Sequence, residues 1–140
     1  MKRTLRVMST LSVAAIGAVG CDRWGKYAEP PASSYSVGQF IVGTEVADTV
    51  TGATVSPEFF TASNARPLLG RFFLPIEYES IREPVVVISD KLWRGRFKGV
   101  PQLIGTRVQL NGRPVTVVGV APPDFEWPTG AAVWVPRVPR

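Results

Sequence analysis

Few of the residue types that carry out catalysis are present in this chain. It has no histidine and a single cysteine, Cys21. Without histidine the commonest general base and the commonest metal ligand are both missing. One cysteine can form neither an internal disulfide nor a thiolate zinc site. Glu77, Glu79 and Asp90 are the nearest thing to paired carboxylates, but no spacing in the sequence draws them into a cleft, so they read as solvated loop residues. Ser56 and Ser89 read as helix caps rather than nucleophiles, because neither has a histidine or an obvious lysine partner. No G-x-x-x-x-G-K-[ST] segment occurs, so no phosphate-binding loop is expected. The chain is therefore read as non-enzymatic, with no cofactor and no metal.

Two further groups of residues invite a binding role. Lys91, Arg94 and Lys98 fall on one face of a predicted helix, where they would meet a partner or anionic lipid head groups, or be a solvated face. Trp93, Phe97, Phe125, Trp127 and Trp134 would serve either as a ligand platform or as core, and core packing is the reading preferred. The formal charge is +5, but the basic residues are dispersed with no block of like charge, so nucleic acid is not an expected partner.

The start of the chain resembles an export signal. Met1-Lys2-Arg3 is positive, Val7 to Gly20 is mostly apolar, and small residues lead to Cys21. The apolar run falls short of the roughly 20 residues that span a bilayer. Ala18-Val19-Gly20-Cys21 resembles the lipobox of bacterial lipoproteins, with Ala18 where leucine is usual, and this implies lipid attachment at Cys21. Asp22 resembles an inner-membrane retention signal. A plain secretory signal and the remnant of a membrane helix are the competing readings of residues 1–20.

The rest of the chain divides into a polar linker over residues 21–39, with Pro30-Pro31 and Ser33-Ser34, and a folded region over residues 40–140. With 13 glycines and 13 prolines, short strands and many turns are expected. Phe40-Ile41-Val42 and Thr49 to Val55 are strand candidates. Ser56-Pro57-Glu58 opens a short helix closed by Asn64 and Pro67. Val85 to Ile88 is a run of β-branched residues suited to a strand buried on both faces. Ser89 or Asp90 then caps a helix running to about Lys98, ended by Gly99. Asn111-Gly112 predicts a type I′ hairpin turn pairing Leu110 with Arg113, Gln109 with Pro114 and Val108 with Val115. Val133-Trp134-Val135 predicts a last strand. The fold class is α+β, with a mixed, largely antiparallel sheet, a β-hairpin and short helices.

Several of these segments resemble the MacB-like periplasmic core domain of ABC-transporter permeases. Val55 to Phe60 resembles the family's VSPNFF, Arg66 to Arg71 its RPALGR, and Val85 to Phe97 its strand followed by a helix with Leu-Trp and Arg-Phe pairs. Ile104-Gly105 with Leu110-Asn111-Gly112, Val117 to Phe125 and Val133 to Pro136 resemble IG…LNG, VVGVxPxxF and LWVP. Val100 stands before Pro101 where the family usually has Asp. The likeness runs from about Thr54 to Pro136 and is closest in flavour to the large duplicated permeases. It implies part of an extracytoplasmic domain associated with the inner membrane, facing the periplasm. The implied partners are an ABC permease and its ATPase, and a membrane-fusion protein, with a role in protein–protein coupling during export or efflux. The alternatives are a stand-alone envelope lipoprotein with an unrelated binding role, and a truncated permease fragment. Because a strand without its neighbour exposes a pairing edge, a partner, self-association as a dimer, or residues Phe40 to Val55 must cover the matched strands.

Overall fold

The computed structural model describes residues 27–79 and 83–138. Its strands and helices follow the order β1 (Tyr35–Val42), β2 (Asp48–Val55), α1 (Glu58–Ser63), β3 (Leu69–Gly70), β4 (Val85–Ile88), α2 (Asp90–Gly95), β5 (Arg107–Leu110), β6 (Arg113–Val120) and β7 (Val133–Pro136). The strand order is β3-β6-β4-β7-β2-β1-β5. The β2–β7 and β4–β6 pairs are parallel and the other five pairs antiparallel, giving the mixed, largely antiparallel α+β fold expected.

The sheet closes on itself through β6. Arg113 to Thr116 of β6 pair with β5, and Thr116 to Val120 pair with β4 on the opposite edge. β3 takes the place alongside Gly119 and Val120 that β5 has left. The circuit is completed where Val42 of β1 meets Leu110 of β5. The hairpin register is Leu110 with Arg113, Gln109 with Pro114 and Val108 with Val115, and Asn111 (φ 54°) and Gly112 (φ 79°) hold its turn. Pro114 lies before β4 begins to pair, so its missing N–H removes no ladder bond.

β4 shows why the core has two halves. Its four side chains are all buried, and the pleat sends alternate ones to opposite faces. Val86 and Ile88 join Phe40, Trp93, Val117 and Val133 on one face. Val85 and Val87 join Phe59, Phe60, Phe125 and Trp134 on the other. Burial of each such valine contributes about 1.5–3 kcal/mol. In β6 a bulge allows both faces to be served. Val86 pairs with Val117 but Val87 pairs with Gly119, so Val118 is the extra residue and turns to the second cluster.

The structure corrects several local expectations. β1 starts at Tyr35, inside the stretch read as linker. β1 meets β5 only at Val42 and buries only some of its side chains, and Ser36 and Gly38 hide the period in the sequence. Residues 40–55, outside the family likeness in the sequence reading, are integral: β2 lies between β1 and β7, and Phe40, Val42, Ala53 and Val55 are buried. These strands supply the cover that the matched strands require. α2 ends at Gly95, not near Lys98. Lys98 (φ 61°) and Gly99 (φ 69°) both adopt left-handed conformations, and the Gly99 N–H returns to the Trp93 carbonyl at 2.9 Å. Ser56 does not cap α1 with its side chain: its hydroxyl is buried without a hydrogen-bond partner, while its carbonyl accepts from the Phe59 N–H at 3.1 Å.

Candidate functional site

The carboxylates singled out in the sequence are dispersed, and two of them have their own arginine. Glu77 receives a two-pronged contact from Arg71, at 3.0 and 2.9 Å, and a third hydrogen bond from the Leu74 N–H at 2.8 Å. Burial opposes ionisation of Glu77, but the Arg71 hydrogen bonds, the Leu74 amide and the Arg71 charge together hold its carboxyl below the usual range. Asp90 pairs with Arg94 one helical turn on, at 2.9 Å. Ser89 caps α2, its hydroxyl accepting from the Leu92 N–H at 3.0 Å. The five aromatics are divided by the sheet. Trp93 and Phe97 lie with the first cluster, and Phe125, Trp127 and Trp134 with the second, so they form no common platform.

The basic residues form part of a groove. Its volume is about 490 Å³, and it lies between α2, the start of β2 and the loop leading to β7. Val50, Leu92, Ala131 and Ala132 give it an apolar floor. The rim carries Lys91, Arg96 and Lys98 against Asp48 and Glu126, three cations to two carboxylates. Lys91 reaches across to Glu126 at 3.4 Å, and Arg96 contacts both Asp48 and the Val46 carbonyl. The Lys91 side chain is 84% exposed, so that bridge holds the rim only weakly. Lys98 makes no ion pair among the described residues and remains available. Arg94 does not line the groove: its guanidinium is drawn back to Asp90 and lies 5.1 Å from the Trp93 ring centroid.

The walls are positioned by local bonds. Trp93 is buried, and its indole N–H donates to the Val100 carbonyl at 2.9 Å, which fixes α2 over the strands. The Ser89 N–H donates to the Ala132 carbonyl at 2.8 Å and the Ala132 N–H to the Thr51 carbonyl at 2.7 Å, anchoring the loop on the other side. Sequence reasoning found Lys91 and Lys98 but missed Arg96, Asp48 and Glu126. At about 100° per residue Arg96 falls on the face away from Lys91, roughly 140° round, so helical spacing pointed it elsewhere. Asp48 and Glu126 come from distant segments and left no local signal.

The family model described as MacB-like periplasmic core domain matches residues 8–139. The chain belongs to this family. The match takes in β1 and β2 as well as the segments from Thr54 onward. MacB-like core domains are periplasmic portions of ABC-transporter permeases, a non-catalytic role. No curated protein matches the chain. Among solved structures, the extracellular domain of the noncanonic ABC-type transporter YknZ from Gram-positive bacteria is similar at 20% identity and a TM-score of 0.58, covering 74% of this chain and 52% of that one. The periplasmic region of MacB from Actinobacillus actinomycetemcomitans is similar at 20% identity and a TM-score of 0.56, covering 74% of this chain and 45% of its own. The likeness thus extends over about half the length of these two structures. Cys21 and residues 1–20, read from the sequence as an export signal, lie outside the described residues, and among the described residues no helix is long and apolar enough to cross a membrane.

Proposed function

We propose that this chain is a non-enzymatic extracytoplasmic coupling module of an ABC export or efflux system. It binds another protein of that system through the groove beside α2. Membership of the MacB-like family supports the setting. The groove itself carries the reading: an apolar floor within a charged rim is the arrangement of a protein-binding surface, with burial supplying affinity and charge fixing orientation. The chain is held at the outer side of the inner membrane by its N-terminal segment, through lipid on Cys21. Each buried lipid methylene contributes about 0.8 kcal/mol. The partner is the ABC permease with its ATPase, or a membrane-fusion protein.

Charge reversal tests this. The full chain and a Lys91→Glu, Lys98→Glu variant are each isolated from cross-linked cell envelopes, and co-purifying proteins are identified by mass spectrometry. An ABC permease, its ATPase or a fusion protein is expected with the unaltered chain and depleted with the variant. Equal recovery with both, or recovery of none of these components with either, rejects the groove as the coupling surface.

A further inference from the structure

A second concavity lies beyond Glu126, with a volume of about 480 Å³. Half-buried Tyr27 and Trp127 contribute its aromatic wall, over the buried Phe125, and Glu29, Asp124 and Glu126 its carboxylates. Among the described residues no lysine or arginine lines it. Glu126 is the rim residue shared with the groove and is engaged by Lys91 at 3.4 Å. Glu29 and Asp124 have no ion-pair partner among the described residues.

The aromatic wall is held in place by the fold. The Tyr27 ring meets Phe125 edge-on at 5.2 Å, and its hydroxyl donates to the Pro123 carbonyl at 3.3 Å. The next residue, Ala28, donates its N–H to the Ser63 carbonyl at 3.0 Å, tying this segment to the end of α1. The Trp127 carbonyl accepts the Trp134 indole N–H at 2.9 Å, and its ring meets Tyr35 edge-on at 6.5 Å. Burial first, and then the Asp124 charge, push the Tyr27 phenol up from its ordinary value.

We propose that this aromatic, acidic pocket binds an organic cation, an alkylammonium or guanidinium group. Aromatic faces attract such groups through the ring quadrupole, and unpaired carboxylates add long-range attraction. A bare metal ion is the poorer fit. Among the described residues no three acidic or other ligating side chains converge as a metal requires. The cation would come from a free small molecule or from a side chain of a bound peptide. This inference does not rest on the coupling role, because binding is read on the purified chain alone.

The test is NMR titration of the full-length chain with choline, with a short arginine-containing peptide, and with 3,3-dimethylbutan-1-ol, the neutral counterpart of choline. Saturable shifts at Trp127 and Thr129 are expected with at least one cation, weakening about tenfold in a Glu29→Gln, Asp124→Asn variant and with rising salt. Tighter binding of choline assigns a free small cation, and tighter binding of the peptide assigns a side chain. No saturable shift with either cation overturns the proposal. Equal affinity for the neutral alcohol, or equal affinity of the variant, also overturns it, since the pocket would then be merely apolar.

Discussion

The side-chain oxygen of Asn111 accepts a hydrogen bond from the Ile41 N–H at 2.8 Å, while the Asn111 N–H donates to the Ile41 carbonyl at 2.8 Å. The hairpin turn therefore also completes the pairing of β1, and with it the closure of the sheet. Asn111→Gly keeps a residue comfortable at positive φ but removes the side-chain bond, and should cost about 1 kcal/mol. Asn111→Ala adds the strain of a left-handed alanine, about 1 kcal/mol more. Denaturant melts give the two costs, and amide exchange should show faster exchange at Ile41 in both variants. Unchanged Ile41 protection would mean that closure does not depend on Asn111.

Gly112 isolates the turn from the closure. At φ 79°, with no atom within 4 Å of an added Cβ, it can be faulted only on backbone conformation. Gly112→Val should destabilise by about 1 kcal/mol or more, because a β-branched residue resists that region. An unchanged melting temperature would contradict the type I′ turn.

Gly119 presents the opposite case. Its own backbone is unremarkable, but an added Cβ would fall 2.0 Å from the Arg71 carbonyl oxygen, where β3 packs on the β6 bulge. Gly119→Ala should cost about 1–3 kcal/mol, since backbone rather than a flexible side chain must yield. A melting temperature equal to that of the unaltered chain would show that β3 can lift away without loss.

How far the sequence reveals this molecule depends on whether the deciding contacts are local. Asn111-Gly112 sets the hairpin register within a few residues, and Val85 to Ile88 declares its double burial by composition, so both were legible. The cap at Ser89 was legible, but Ser56, with a similar local pattern, leaves α1 without a side-chain cap. The bond from Asn111 to Ile41 joins residues 70 apart, and nothing near either one announces it. The groove was half legible. Lys91 and Lys98 stood out by helical spacing, whereas Asp48, Arg96 and Glu126 meet only when the sheet brings β2 and the 126–132 loop to α2. The pocket at Tyr27 was not found, because Glu29 and Asp124 lie far apart in sequence and in unpatterned segments.

Stability should respond to pH at both ends of the scale through the loop around Pro75. Burial, followed by the Glu77 and Glu58 charges, pushes the Tyr78 phenol up to about 12. A tyrosine titrates near 10 when unfolded. Its folded pKa is raised, so the contribution of the neutral phenol is complete below about pH 10 and is lost as pH rises toward 12. The Glu77 pKa is lowered, so its contribution is complete above the ordinary carboxylate range and is lost as pH falls below it. Melts across pH should show the alkaline loss weakened in Tyr78→Phe and the acid loss weakened in Glu77→Gln. Identical pH profiles for the variants and the unaltered chain would refute both assignments.

The proposed attachment through Cys21 would have a direct chemical signature. Mass spectrometry of the membrane fraction should find a mature chain that begins at Cys21 with lipid bound, and Cys21→Ser should abolish that species. Recovery of an uncleaved chain starting at Met1 would rule out lipid attachment at a processed N-terminus.

The coupling role is tested most directly by position-specific photo-cross-linking in living cells. A photoreactive residue is placed at Lys98, on the groove rim, and in a separate strain at Arg113, exposed at the hairpin tip. The account predicts an adduct with an ABC permease or membrane-fusion protein from position 98 and none from position 113. Adducts of equal yield from both positions, or no such adduct from position 98, would contradict it.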